Sequence, residues 1–584
     1  MNSVSPEQEK STVRAAASGS FDYPLTLLLV PVAIGLLLSS MSVFTGGDFV
    51  NYDCAYSFLC AKLLLQGKQP FVDFVDLLPP IIFYIAAPPV WLSQVLKLPI
   101  ALVWSTTVVC TIALSLVASI FVLKSAKDSS NRDWLFIGPL LCGFALFNLV
   151  LGFHFGQREH IFVLTYFPIY LIRWLRWTQP DEYKPNRTLA TICGSACAVA
   201  IFVKPQFLIV PVLVELYFSQ LPLRKNLWRL VRAPEFTSLM ATLCACLLLS
   251  AFIPNVQAYY SRWVPFISHG YGAFFAANPF FMLLFAAPDG QMVGNTILAG
   301  LVCIAALLVS GRSILLGSLF VWTVAGLLLY VVQGRGWSYQ SIPAVCGYFL
   351  LCSVMLTIIA ELLISCVVHI RPSLHWLKPR NWQTDPSSEP QSSVEKHKIA
   401  TVVFLTYAVL LMPVSTLLVH NSSATATTFQ TLDDLIASQT QPKDKVVILH
   451  TLMPNAHQAQ LRLDRDPGCR YIWCFPLRMT EYLKKSDTTR ERALTEEPRI
   501  VSEIVEDIRK SKPTLIAVEA FSPDGTKWTL LQSLANHHFF ERALTDYEPI
   551  GGCNKFAVWK LRTNSPISNS PSSTQLKTRV DNNE

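Results

Sequence analysis

Charge is what this 584-residue chain has least of. Asp, Glu, Lys and Arg make up 15% of it, where a soluble globular domain carries about a quarter. That scarcity, with 52% hydrophobic residues and a mean hydropathy of +0.39, excludes an ordinary soluble fold. Several signatures are also missing: a Walker-type phosphate loop, a Cys-x-x-Cys metal pair, a His-Glu-x-x-His helix and a Gly-x-Ser-x-Gly elbow. ATP-driven transport, zinc proteolysis and α/β-hydrolase chemistry therefore find no support.

What is present is a series of uncharged apolar runs reaching the ~20 residues that cross a bilayer as a helix. Expected spans are 24–44, 100–123, 134–152, 161–177, 188–203, 205–220, 236–253, 292–310, 313–332, 342–368 and 399–419. The polar first 23 residues precede a run too long for a signal-peptide core, so 24–44 reads as a retained anchor. The stretch 79–96 opens with Pro79-Pro80 and contains Pro88-Pro89. It reads as an amphipathic segment lying on the membrane surface.

Loop charge supports that choice. With 79–96 not crossing and a cytoplasmic N-terminus, nineteen Lys and Arg fall inside. Only Lys62, Lys68, Lys97, Arg158, Lys204, Arg262 and Arg335 fall outside before the last span. This is the positive-inside bias, and it also accounts for the net charge of +8 without nucleic acid. Eleven spans place the remainder outside. Residues 420–562 turn polar: Val446–Leu449, Leu515–Val518 and Lys555–Leu561 read as strands, and Ile500–Arg509 and Trp528–Ala535 as helices. The expected fold is thus an all-α polytopic membrane protein with about 11 transmembrane helices and a small C-terminal extracytoplasmic α/β domain. The expected layout is a cytoplasmic tail (1–23), a membrane domain (24–419) with a first outer loop at 45–99, the α/β domain (420–562) and a disordered tail (563–584). Most of the 15 cysteines lie in apolar runs and act as small hydrophobes; Cys469 and Cys474 would be free to pair in an oxidising compartment.

This topology gathers the unusual polar clusters on the outer face: residues 46–97, Gly156–His160, Lys204-Pro205, Tyr259–Tyr271 and Gly334–Gln340. An ionised group in hydrocarbon costs roughly 2.5–3.5 kcal/mol on insertion scales, so charges at span ends face a cavity or a partner. Each residue has a plain reading too. Asp53, taken alone, reads as the N-cap of a helix running from Cys54 to Gln66. Asp48 and Asp73 read as solvated carboxylates, and Asp76 is open to the same reading. Arg158, Glu159 and His160 fit an interfacial charge cluster, and Lys204 a snorkelling cation at a helix break. Arg335 fits a juxtamembrane anchor, with Trp337 and Tyr339 in an aromatic belt; His269 fits a loop hydrogen-bonder.

At the first outer loop, Asp53-x-x-Tyr56, Ala61, Gly67, Pro70-Phe-Val-Asp73-Phe and Pro79-Pro80 resemble polyprenyl-phosphate-sugar-dependent glycosyltransferases of the GT-C class. The nearer types are protein O-mannosyltransferases and aminoarabinose transferases. Gly156-Gln-Arg-Glu-His160, Lys204-Pro205-Gln206 and Gly334–Pro343 extend the resemblance, which covers roughly residues 20–420. Where many relatives carry Asp-Glu, Cys54 follows Asp53 here, so the second acidic residue is Glu159, with Asp76 as runner-up.

The resemblance implies an inverting transfer of a monosaccharide, hexose or pentose, from a polyprenyl-phosphate donor to a hydroxyl or amine on the extracytoplasmic face. Asp53 is the expected general base. Arg158, Lys204 and Arg335 are the expected phosphate ligands; Tyr56, Trp337 and Tyr339 line the sugar. Glu159 or His160 orients the acceptor or holds a divalent metal, Mg or Mn. Expected partners are the lipid-linked donor, membrane lipids and a glycan, lipid or protein acceptor, with no nucleic acid; the expected location is a bacterial plasma membrane. The competing reading is a multi-pass transporter or flippase for a lipid-linked or anionic substrate. Against it, the charges cluster on one face, and one broken helix appears where inverted repeats would show a pair.

Overall fold

The computed structural model describes residues 50–126, 136–179, 183–220, 231–270, 313–335, 337–370, 430–451, 455–521, 528–553 and 556–562. The expected spans 24–44, 292–310 and 399–419, the two terminal tails and Asp48 lie outside these residues. The helices are α1 (Tyr52–Leu65), α2 (Ile81–Leu96), α3 (Ile100–Lys124), α4 (Ile137–Phe147), α5 (Arg158–Thr178), α6 (Arg187–Val203), α7 (Ile209–Ser219), α8 (Pro234–Ser250), α9 (Ile314–Gln333) and α10 (Ile342–Ile370). Then follow α11 (Gln430–Gln439), β1 (Lys445–Leu449), α12 (Asn455–Arg462), β2 (Asp466–Pro467), α13 (Phe475–Leu483), α14 (Asp487–Ser511) and β3 (Leu515–Glu519). The last elements are α15 (Leu530–Ala535), α16 (Phe539–Ala543), β4 (Tyr547–Cys553) and β5 (Phe556–Leu561).

The expected spans within the described residues coincide with α3 to α10. Among the described residues, three helical stretches are long and apolar enough to cross a membrane: Ile100–Lys124, Ile314–Gln333 and Tyr339–Leu356. The others fall short for visible reasons. The α4 helix has 11 residues before the chain tightens into 3₁₀ turns. The expected span 205–220 begins as a 3₁₀ turn at Pro205–Leu208, because Pro205 supplies no amide hydrogen to the preceding helix. The α5 helix carries Arg158, Glu159, Arg173 and Arg176.

The chain divides into two compact units. One comprises residues 1–45, 105–244 and 277–421, the other 46–104, 245–276 and 422–584. In the first, aromatic side chains fill the space between helices: Phe162 stacks on Phe207 at 4.5 Å, and Tyr166 meets Trp322 edge-on at 4.8 Å. The helices α9 and α10 approach so closely that a Cβ on Gly326 would lie 2.4 Å from the Ala344 nitrogen. Elsewhere in this unit the buried Arg173 donates its Nε to Glu215 at 2.9 Å and an Nη to Glu235 at 3.2 Å. Arg176 Nε meets Glu235 at 2.5 Å, and Trp177 Nε1 donates to Glu215 at 2.7 Å. Two guanidinium groups against two carboxylates tie α5, α7 and α8 together with no net buried charge.

In the second unit a five-stranded sheet runs in the order β2-β1-β3-β5-β4. Strands β2, β1 and β3 are parallel, while β5 runs antiparallel to β3 and to β4. The central strands read KVVIL and LIAVE, nearly all buried, as expected where helices cover both faces of a parallel sheet. Val446, Ile448, Leu515, Ala517 and Val558 join Leu432, Ile436, Ala456 and Ala459 in one core. The same unit holds α1 and α2. Lys62 of α1 lies between Asp464 (2.9 Å) and Asp466 (2.8 Å). Gln458 of α12 donates to the Val50 carbonyl. On the stretch 256–270, Arg262 pairs with Glu496 (2.8 Å) and Glu503 (3.2 Å) of α14. Cys469 and Cys474 are both buried and not disulfide-bonded.

Candidate functional site

In the second unit the chain enters α1 through Asn51, not Asp53. The Asn51 side chain accepts the Asp53 amide at 2.9 Å and caps the helix, which corrects the N-cap reading of Asp53. Asp53 is the second residue of the helix, half-buried in the first turn, where free amide hydrogens and the helix dipole favour a carboxylate.

Asp76 is 1% exposed and accepts the Leu78 amide at 3.0 Å. Tyr56 is also buried; its hydroxyl donates to the Val75 carbonyl at 3.2 Å, and its ring lies 4.7 Å from His457 and 6.1 Å from Trp473. Burial first, and the Asp76 charge second, hold the Tyr56 phenol protonated well above its ordinary range. Tyr56 thus packs α1 against His457 and Trp473, with its hydroxyl on the Val75 carbonyl.

Beside Tyr56 stands a histidine pair. His450 and His457 are buried and face each other with their Nε2 atoms 3.2 Å apart. One of these nitrogens must donate and the other accept, so the accepting ring is neutral, and burial disfavours a charge on the donating one. Burial lowers His457 to about 3, and burial together with the neighbouring ring lowers His450 well below its usual value; the Ile472 backbone opposes both shifts. From about pH 6.5 downward the unfolded chain takes up protons that the folded pair refuses. Stability must therefore fall as pH drops from about 6.5 toward 3, by up to about 1.4 kcal/mol per pH unit for each ring. Thermal unfolding across that window should be distinctly less acid-sensitive in a His450→Asn, His457→Gln double variant than in the wild type. An identical slope would contradict the buried neutral pair.

The first unit holds the other expected residues. The α5 helix starts at Arg158 after Gly156, whose φ of +78° is a glycine-favouring conformation. That turn points the Gly156 amide at His160 Nδ1, 3.0 Å away, while His160 Nε2 lies 2.7 Å from Asn148 Oδ1. Asn148 gives its amide hydrogens to Phe144 O at 2.6 Å, so its Oδ1 accepts and His160 donates from Nε2. The ring is neutral and both nitrogens are spoken for. His160 therefore has no lone pair for a metal, and among the described residues no group of three His, Cys, Asp or Glu side chains is arranged to hold one. As they stand, His160 and Lys204-bound Glu159 do not fit the divalent-metal role.

Glu159 is fully buried, and its Oε1 lies 2.5 Å from Lys204 Nζ. Lys204 sits at the break between α6 and the Pro205 turn, where the chain changes direction. Its ammonium also stands 5.6 Å from the Phe207 ring and 5.7 Å from the Tyr339 ring. Tyr339 is buried, stacked 5.7 Å from Trp337 and 6.0 Å from His154. Arg158, Lys204, Arg335 and Trp337 are only half-buried. Thus Glu159, Lys204 and Tyr339 are brought together, and Arg158, Arg335 and Trp337 flank them in the chain.

Sequence reasoning passed over Gln157 and Gln340, both 1% exposed. Gln157 Nε2 and Oε1, Gln340 Oε1 and Glu159 Oε2 have no hydrogen-bond partner among the described residues. Their only signal in the sequence was adjacency to the charged and aromatic residues of the two motifs.

No protein-family model matches the chain, and no curated protein sequence matches it. Solved structures do. The chain is similar to crystal structures of ArnT from Cupriavidus metallidurans, one bound to undecaprenyl phosphate and one in the apo state. For the bound form the TM-score is 0.50 at 14% identity, covering 92% of this chain and 98% of ArnT. The apo form gives the same score and identity over 91% and 97%. The archaeal oligosaccharyltransferase AglB from Archaeoglobus fulgidus, in complex with an inhibitory peptide and a dolichol-phosphate, gives 0.46 at 10% identity, over 84% of this chain and 69% of AglB. The fold of this chain is similar to that of ArnT over nearly the whole of both chains.

Proposed function

We propose that the protein is a membrane glycosyltransferase that moves a monosaccharide from a polyprenyl-phosphate donor to an acceptor hydroxyl or amine on the extracytoplasmic face. The observation that carries this reading is the fold shared with ArnT over nearly the whole of both chains, in a relative crystallised with undecaprenyl phosphate. The side chains supply the chemistry. Arg158, Lys204 and Arg335 bring three positive charges toward a lipid phosphate that leaves without needing a proton, and guanidinium groups bind phosphate bidentately. Lys204 is oriented by its ion pair with Glu159. Tyr339 and Trp337 offer ring faces to the sugar or the isoprenoid. Asp53 takes the proton of the acceptor as it attacks C1. Loop charge supports the eleven-span layout with the active face outside the cytoplasm, and the α/β domain of residues 420–562 on that same side.

Deleting the gene and restoring it as wild type or as Asp53→Asn tests this, with surface glycoconjugates compared by mass spectrometry and membrane protein levels matched. Loss of one sugar-sized mass, restored by wild type alone, is expected and names the acceptor. Equal restoration by both would favour a transporter or a scaffold.

A further inference from the structure

Buried polar atoms in native proteins are nearly always hydrogen-bonded, because a donor or acceptor stripped of water and left alone forfeits its hydration. Four such atoms lie in two neighbouring loops of one unit here: Gln157 Nε2, Gln157 Oε1, Gln340 Oε1 and Glu159 Oε2. They border one cluster of contacts. Glu159 holds Lys204 at 2.5 Å, Lys204 faces the Tyr339 ring, and Gln340 follows Tyr339. Gln157 precedes the helix that begins Arg158-Glu159 without capping it through its side chain, and His154, three residues before it, rests against Tyr339. The loops are not carelessly built: His160 and Asn148, in the same region, are fully satisfied.

We propose that Gln157 and Gln340, with the second oxygen of Glu159, form a hydroxyl-recognising subsite for an uncharged sugar ring of the donor. This rests on the glycosyltransferase reading and extends it to the class of sugar. The patch presents a donor and three acceptors, and a polyol answers both kinds because each hydroxyl donates and accepts. An ammonium group has hydrogens only to give and would leave Gln157 Nε2 unmatched.

Binding to the purified full-length protein in detergent separates the outcomes. The probes are bare polyprenyl phosphate, the same lipid carrying a neutral hexose, and the same lipid carrying an amino sugar. Wild type should bind the neutral glycosyl lipid roughly tenfold more tightly than the bare lipid, the value of one or two net hydrogen bonds. Gln157→Leu and Gln340→Leu should each erase most of that preference while leaving bare-lipid binding and thermal stability unchanged or improved. Failure to bind bare lipid would sink the functional reading itself. Binding of bare lipid with no preference for the neutral sugar, tighter binding of the amino sugar, or a parallel loss of all binding and stability in the Leu variants would overturn the subsite alone.

Discussion

Asp53→Asn is expected to lower glycosyl transfer by about 10²- to 10⁴-fold, the usual worth of a positioned general base, with donor-lipid binding and expression level little changed. Asparagine has nearly the same shape and still suits the first turn of a helix. The cap of α1 belongs to Asn51, so the substitution leaves the helix start intact. That separation is what gives the experiment its force. Asp76→Asn is the comparison: its carboxylate is buried among Leu78, Tyr56 and the loop backbone, so its loss should show in stability as well as in rate. If Asp53→Asn keeps full activity while Asp76→Asn loses it with the fold intact, the base is Asp76.

The second large effect is structural. Lys204→Met leaves the fully buried Glu159 without its ion-pair partner. Breaking one side of a buried pair costs about 3–5 kcal/mol, because a desolvated charge remains. The variant should show a sharply reduced thermal midpoint or a low yield, and Glu159→Gln in the same chain should recover most of it by removing the orphaned charge. Recovery of stability without recovery of activity is expected, since Lys204 is also assigned to the phosphate. If Lys204→Met is as stable as wild type, Glu159 is hydrated and the pair is not the buried contact described here. The Arg173, Arg176, Glu215 and Glu235 group differs in having two cations on two carboxylates, so single substitutions there should cost less.

Much of the fold can be read from the chain. Helices α3 to α10 follow apolar runs, and the break at Lys204-Pro205 follows from a proline that cannot donate. The central strands β1 and β3 show as short apolar runs bounded by polar residues. Strand β4 hides because Gly551-Gly552 and an irregular register near Pro549 blur its alternation. The start of α1 was misread because Asn51 and Asp53 are equally good caps; only the observed dihedrals and the Asn51 contact decide between them. Pairings between distant positions were beyond reach. Nothing in the sequence joins Glu159 to Lys204, 45 residues away, or commits His160 to Asn148 and Tyr56 to Val75. Reading by charge also favoured arginines over Gln157 and Gln340, whose interest comes from burial without partners.

The central claim is that this chain breaks the bond between a sugar and a lipid phosphate. The most direct measurement uses purified protein in detergent with polyprenyl phosphate carrying a radiolabelled sugar and an extract of surface glycoconjugates as acceptor. Detergent removes any membrane to be crossed, so transport has no meaning there. The account predicts that label leaves the lipid and appears on acceptor with wild type, and not with Asp53→Asn. Label that stays on the lipid, while the same protein in sealed vesicles carries the intact donor across, would contradict it.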